Sequence, residues 1–274
     1  MADHADQAPS WFRQYVILER AAMRAQLQYR VNFWTTLLGG VAYQGTQLLF
    51  LGVLLAKFDL IAGWGFPEIA FVFSMRLASH AFYVVPFGSL MMTDFIVREG
   101  DFDRYLLRPV SPFLQLLTRE FRLMSLGDGI LGIGALVIFS WHAPVDWTAA
   151  KLAYLVVAVL GGSLVETGIQ TFFCGLSFLA TSTFSLRIFA DDSITRFSGY
   201  PLTMFGRGVF YGFCTVFPMA FIAFLPGALL LGRAADVPLP TWLIAASPLA
   251  GLAVFALGYA FFVRMLPKYT SPGS

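Results

Sequence analysis

Residues 98–112 read REGDFDRYLLRPVSP. They bring Arg98, Glu99, Asp101, Asp103, Arg104 and Arg108 together in a chain that is 58% hydrophobic and only 12% charged. Soluble domains carry about 25% charged residues, so the sequence around this island belongs to a different class. On both sides lie stretches greasy enough to cross a membrane. A plain hairpin between two such helices needs only a few polar residues. This segment has more charge and more punctuation than a connector requires, and it is addressed to water.

Six stretches are nearly free of Asp, Glu, Lys and Arg, at about 31–56, 67–93, 124–141, 152–182, 206–226 and 241–263. Each approaches the roughly 20 apolar residues that a helix needs to cross the hydrocarbon core. Strict alternation of apolar and polar residues is absent, which argues against a membrane β-barrel. The expected fold is an all-α polytopic membrane protein, one domain over 1–274 with six transmembrane helices. Basic residues set its orientation. With both termini cytoplasmic, the inner segments hold Arg13, Arg20, Arg24, Arg30, Arg98, Arg104, Arg108, Arg119, Arg122, Arg187, Arg196, Arg207, Arg264 and Lys268. The outer segments hold only Lys57, Lys151 and Arg233. Residues 98–112 then face the cytoplasm.

The N-terminus, MADHADQAPS, has no basic region before an apolar core and is not expected to be a cleavable signal peptide. From Ser10, a plausible N-cap, an amphipathic helix is predicted over 10–30. Trp11, Tyr15, Leu18, Ala22 and Tyr29 fall on one face, and Arg13, Arg20 and Arg24 on the other. Such a helix suits the membrane interface, its arginines near anionic lipid headgroups. An ordinary lead-in to the first span is a compatible reading. Cys174 and Cys214 each lie in a greasy window and read as packing residues.

Within the opening stretch, Gly100 can end one helix and Asp101 can cap the next. Helical spacing puts Asp101, Arg104 and Arg108 on one face, and Phe102, Tyr105 and Leu106 on another. Pro109 stops the turn, and Ser111–Pro112 reads as an N-cap followed by proline at the first helical position. The result is a short, rigid, bounded helix. It serves either as a docking surface, where preorganisation lowers the ordering cost of binding, or as a solvated surface helix.

The run GDFDRYLLRPVSPFLQLL, following the second span, resembles the cytoplasmic loop of the six-span permeases of type 2 ABC exporters. The closest likeness is to the branch whose ATPase is a separate polypeptide. A second run, RFSGYPLTMFGRGVFYGFCTVFPMAFIAFLPGALLLG at 196–232, resembles that family's fifth span, with its Tyr-Pro entry and its Pro-Gly break. The resemblance covers essentially the whole chain. It implies a half-transporter of the bacterial cytoplasmic membrane, paired with a second six-span permease, identical or homologous. Two copies of a cytoplasmic ABC ATPase would bind below and hold the ATP and Mg. It implies also that Glu99, Gly100, Asp101, Phe102, Asp103, Arg104, Tyr105, Leu106, Leu107 and Arg108 form the coupling helix and its borders. The chain itself has no GxxxxGK[ST] loop; no cofactor is expected on it, and ATP hydrolysis belongs to a partner. A lesser contact from 184–197 is set against a frayed helix end.

Arg76, His80 and Glu166 are ionisable groups inside spans, where such groups are costly and usually paired or functional. Arg76 and His80 are four apart on one helical face, and Glu166 lies at similar depth. An Arg76–Glu166 ion pair is expected, either fixing how two spans pack or contacting substrate; a lone carboxylate would favour cationic cargo. Gln44 and Gln47 join a chain–chain contact or line a path. The many phenylalanines read as core or lipid-facing residues. Pro226–Gly227 before ALLLG suggests a short outer helix or re-entrant piece.

No catalytic triad, metal-ligand spacing or nucleotide loop is legible, so an enzyme is not expected. The basic residues serve as the orientation signal, so nucleic-acid binding is not expected either. Two rival functions remain: a membrane anchor or assembly factor for an ATPase, and an ATP-independent secondary transporter. The second would call for internal repeats or several ion-coupling charges.

Overall fold

A computed structural model describes residues 10–28, 30–57, 60–122, 124–180 and 183–271. Tyr29, expected on the apolar face of the first helix, lies outside them. Among the described residues thirteen α-helices follow one another. They are α1 (Trp11–Leu27), α2 (Arg30–Lys57), α3 (Phe66–Phe87), α4 (Thr93–Arg98), α5 (Asp103–Leu106), α6 (Pro112–Leu117) and α7 (Met124–His142), then α8 (Ala149–Leu176), α9 (Phe184–Phe197), α10 (Arg207–Thr215), α11 (Phe224–Leu230), α12 (Thr241–Ala245) and α13 (Ser247–Met265). Among the described residues the only β pairing is an isolated bridge between Ile61 and Trp64. The fold is all-helical, as its composition predicts.

Four stretches are long and apolar enough to cross a membrane: Phe66–Arg98, Ser125–His142, Ala149–Leu176 and Ser247–Lys268. A fifth is formed if the bent pair Arg207–Thr215 and Met219–Leu230 counts as one. The 28-residue α2 covers the predicted first span.

The bundle has two ends. At one, Arg233 in the α11–α12 connection donates to Gly63 O and to Glu68, each at 2.8 Å, and lies 4.8 Å over the Trp64 ring. At the other, the rings of Phe102, Phe178 and Tyr269 pack together, with Phe102 centroids 4.9 Å and 5.0 Å from the other two. There too Asp94 Oδ1 accepts from the Thr183 hydroxyl at 2.6 Å and the Thr183 amide at 2.9 Å. These bonds tie α4 to the start of α9.

Residues 206–226 differ from the predicted fifth span. They are two helices bent by 81° around Val216–Pro218. The physical reason is Pro218, which cannot continue a helix through its missing N–H. Tyr211 donates to Pro238 O at 3.2 Å, and Arg207 shares a small cavity with Asp236. Both ends of the hairpin thus stand at the Arg233 end of the bundle. Arg207, expected on the inner side, lies instead with the residues expected on the outer side. The ascent through the bundle is made by α9. It begins beside Asp94, passes Arg76 at Thr195 and reaches Phe73, whose ring lies 6.2 Å from Tyr200. Asp191, Asp192 and Arg196, read as a cytoplasmic stretch, are part of that ascent. The predicted span at 241–263 is likewise interrupted at Ala246, between α12 and α13.

The tightest packing joins α8 and α13, which run parallel. A Cβ on Gly161 would meet Pro248 Cα at 2.6 Å, and one on Gly168 would meet Phe255 N at 2.6 Å. Gly251 and Gly258 answer from the other side, against the backbones of Gly161 and Gly168. Glycines spaced seven apart on both helices let the backbones touch, which is how membrane helices gain packing without a hydrophobic drive.

Candidate functional site

Two places combine polar chemistry with defined geometry. The first is the loop at 98–112. Glu99 closes α4, and Gly100 turns the chain at φ 74°, a conformation that favours glycine. The helix that follows is shorter than 101–107: it runs Asp103–Leu106 with Phe102 as its N-cap residue. Asp101 therefore does not cap it, and its carboxylate lies 3.7 Å from Arg104 instead. Phe102 is wholly buried and stacks on Tyr105 at 5.7 Å. Asp103 accepts from the Ser271 hydroxyl at 2.8 Å. Gln115 Nε2 donates to Tyr105 O at 2.9 Å and to Val110 O at 2.8 Å, closing the loop onto α6. Ser111 occupies the N-cap position of α6, with Pro112 at the first helical position.

The expected apolar face is thereby divided. Phe102 and Tyr105 anchor the loop to the body, whereas Leu106 and Leu107 are left in the open, Leu107 at 85% exposure. Arg104 and Arg108 are exposed beside them. Burial raises the Tyr105 hydroxyl above its ordinary range, while Arg119 and Arg108 pull the other way.

The second place is a buried polar cluster in mid-bundle. Arg76, His80 and Glu166 meet there, but not as expected. Glu166 Oε2 lies 2.7 Å from His80 Nδ1, and Arg76 Nη2 donates to Thr195 Oγ1 at 2.9 Å. The Arg76–Glu166 pair does not form. The reason is α9, which comes between and offers Arg76 a hydroxyl, while His80, one turn along α3, meets Glu166. Gln170, one turn beyond Glu166 on α8, donates to Asp191 Oδ1 at 3.1 Å. Asp191 lies within electrostatic reach of His80, Glu166 and Arg76. The cluster thus links α3, α8 and α9. Glu166 Oε1, Arg76 Nε and Gln170 Oε1 are buried without a hydrogen-bond partner. Unsatisfied buried groups are rare and call for a reason.

Sequence reasoning missed Asp191, because α9 was placed outside the bundle. The signal available was the spacing of Glu166 and Gln170, which puts two polar groups on one face of α8. His142 is exposed and bonds to Ile138 O at 2.8 Å.

Helices that carry long apolar stretches, joined by a clamped polar loop, define a multi-pass membrane protein. The family model of the ABC-2 family transporter proteins matches residues 41–273, and the chain belongs to that family. No curated protein and no solved structure matches it.

Proposed function

We propose that this chain is the membrane half of an ATP-driven exporter in the bacterial cytoplasmic membrane. It pairs with a second six-span permease, identical or homologous, and engages two copies of a cytoplasmic ABC ATPase. ATP and Mg reside on those subunits; this chain catalyses nothing. Six crossings follow from α2, α3, α7, α8, α9 with its extension to 206, and α13. Both termini are then cytoplasmic, and the hairpin of α10 and α11 enters from the outer side. The basic residues still crowd the inner side when Arg207 is moved outward and Arg196 into the bundle.

The observation that carries this reading is the division of the loop helix. Phe102 is locked into the body beneath it, while Arg104, Leu106, Leu107 and Arg108 stand outside. A solvated loop gains nothing from exposing two leucines on a rigid turn. A surface that receives a partner gains affinity from preorganisation, and force on it passes through Phe102 to Phe178 and Tyr269. Closure of the ATPase would then bias a two-state membrane assembly between inward-open and outward-open forms.

The test is the double variant Arg104→Glu with Leu106→Glu. Hot-spot changes at a docking surface cost about 2 kcal/mol or more, so the ATPase should be lost from purified membranes while the permease stays folded. Undiminished co-purification with intact cargo-stimulated hydrolysis would overturn the reading.

A further inference from the structure

Beside the polar cluster, on the side toward the loop at 98–112, lies a cavity of about 380 Å³ walled by α2, α3, α7 and α9. Its volume falls in the range of sites that hold a drug-sized molecule. Tyr43 and Val84 supply apolar wall, and Gln44, His80, Asp128 and Asp191 supply polar atoms. Asp128 is 9% exposed and has no hydrogen bond or ion pair among the described residues. Gln44 is 3% exposed, and its Oε1 has no partner. Asp191 is held on Oδ1 alone, by Gln170.

The charges around this space do not balance within the wall. Glu120 is offset by Arg122 at 3.9 Å. Glu166 is held by His80, and Arg76 turns to Thr195. That leaves Asp128 without a counter-charge, and Asp191, from a second helix, and Gln44 on the same cavity wall; Arg76 is within electrostatic reach of Asp191 but does not line the cavity. Carboxylates inside a membrane protein are costly without a counter-charge. Among the described residues no three ligating side chains converge to hold a metal ion, and the volume is far larger than a bare ion requires.

We infer that this cavity binds the positive head of an amphiphilic organic cation, an amine or onium group, between Asp128 and Asp191. Gln44 turns its oxygen toward that head, Tyr43 offers its ring face to the charge, and Val84 takes apolar surface. The inference rests on the permease reading and names the class of its cargo. Cargo enters from the end that carries the coupling loop, because Met91, Glu120 and Arg122 border the cavity there.

The full-length chain with its ATPase, reconstituted in lipid nanodiscs, decides this with two probes of one shape and opposite charge. Tetraphenylphosphonium should bind saturably, and tetraphenylborate should not. Asp128→Asn with Asp191→Asn should weaken tetraphenylphosphonium about tenfold or more, as removal of a buried charge partner does. Gln44→Glu, which adds a carboxylate to the wall, should tighten it several-fold. Equal affinity for both probes, or a folded double variant that binds like the parent, overturns the site. Should the double variant fail to fold, Gln44→Glu decides alone, and unchanged affinity overturns it. Charge-selective binding without ATP-driven movement would sink the permease reading and leave the site standing. ATP-driven movement of other cargo without tetraphenylphosphonium binding would sink the site and leave the permease reading.

Discussion

The seam between α8 and α13 and the region between α3, α8 and α9 share one helix but follow opposite rules. Along the seam, α8 presents Gly161 and Gly168, and backbone meets backbone with no room for a Cβ. On its other face the same helix presents Glu166 and Gln170, each with an oxygen left unpartnered. Along the first face backbones meet at the glycines; the second keeps polar groups that the fold does not satisfy. A protein interior normally closes such gaps. One face of α8 is therefore a close backbone contact, and the other leaves polar atoms that its neighbours do not satisfy.

The largest effect should come from crowding the seam. A side chain at Gly258 would fall on the carbonyl of Gly168, and backbone cannot step aside as a flexible side chain can. Gly258→Val should cost about 3 kcal/mol or more, the upper range for overpacking, and should appear as a loss of thermally stable protein in detergent. Gly134→Ala, where a Cβ meets nothing within 4 Å, is the control. It should be neutral or stabilise by up to about 1 kcal/mol. Equal behaviour of the two variants would dissolve the contrast between the faces of α8.

The polar face should respond less and in a coupled manner. His80→Ala strands Glu166, whose other oxygen is already unpartnered, at a cost of about 1–3 kcal/mol. Adding Glu166→Gln should restore part of that, because the uncompensated charge has gone. The cycle of Arg76→Gln with Glu166→Gln should show little coupling, since those two side chains do not meet. A reversed result, with Arg76 coupled to Glu166 and His80 independent, would place α9 wrongly.

How much of this could be read beforehand divides along the same line. The clamped loop was legible because caps and breakers are local: Gly100, Pro109 and Ser111–Pro112 act within a few residues of themselves. The depth of Arg76, His80 and Glu166 was legible from hydropathy. Their pairing was not, since it depends on where α9 runs, and a run carrying Arg187, Asp191, Asp192 and Arg196 looks like a surface segment. Two of its charges meet neighbours distant in sequence, Arg187 donating to Leu90 O at 3.3 Å and Asp191 accepting from Gln170 at 3.1 Å, while Asp192 and Arg196 are exposed and pair with each other at 3.8 Å. The hairpin after Arg207 was misread as a span for the complementary reason: its apolar residues satisfy a length count that a proline then breaks. The glycine seam escaped notice because a period of seven on two helices says nothing until the helices are known to be neighbours.

The smallest effect concerns α1, which stands furthest from the seam in character. None of its residues is buried. It is held to α3 by the Tyr15 hydroxyl on Pro86 O at 3.2 Å, and its Gln26 borders the cavity. Glu19, on its inward side, is pushed up to about 7 from its ordinary value near 4.5 by burial. Docked α1 therefore binds a proton more readily than undocked α1 between about pH 4.5 and about pH 7. Linkage then requires that docking be strongest at the acid side of this window and weaken as pH rises through it, levelling off above. Glu19 is half solvated, so the change is modest. The measurement is the distance distribution between spin labels on α1 and α3 across that window. The labels should separate as pH rises in the parent and stay together at all pH in Glu19→Gln. The same pH dependence in both proteins would show that Glu19 does not govern the docking.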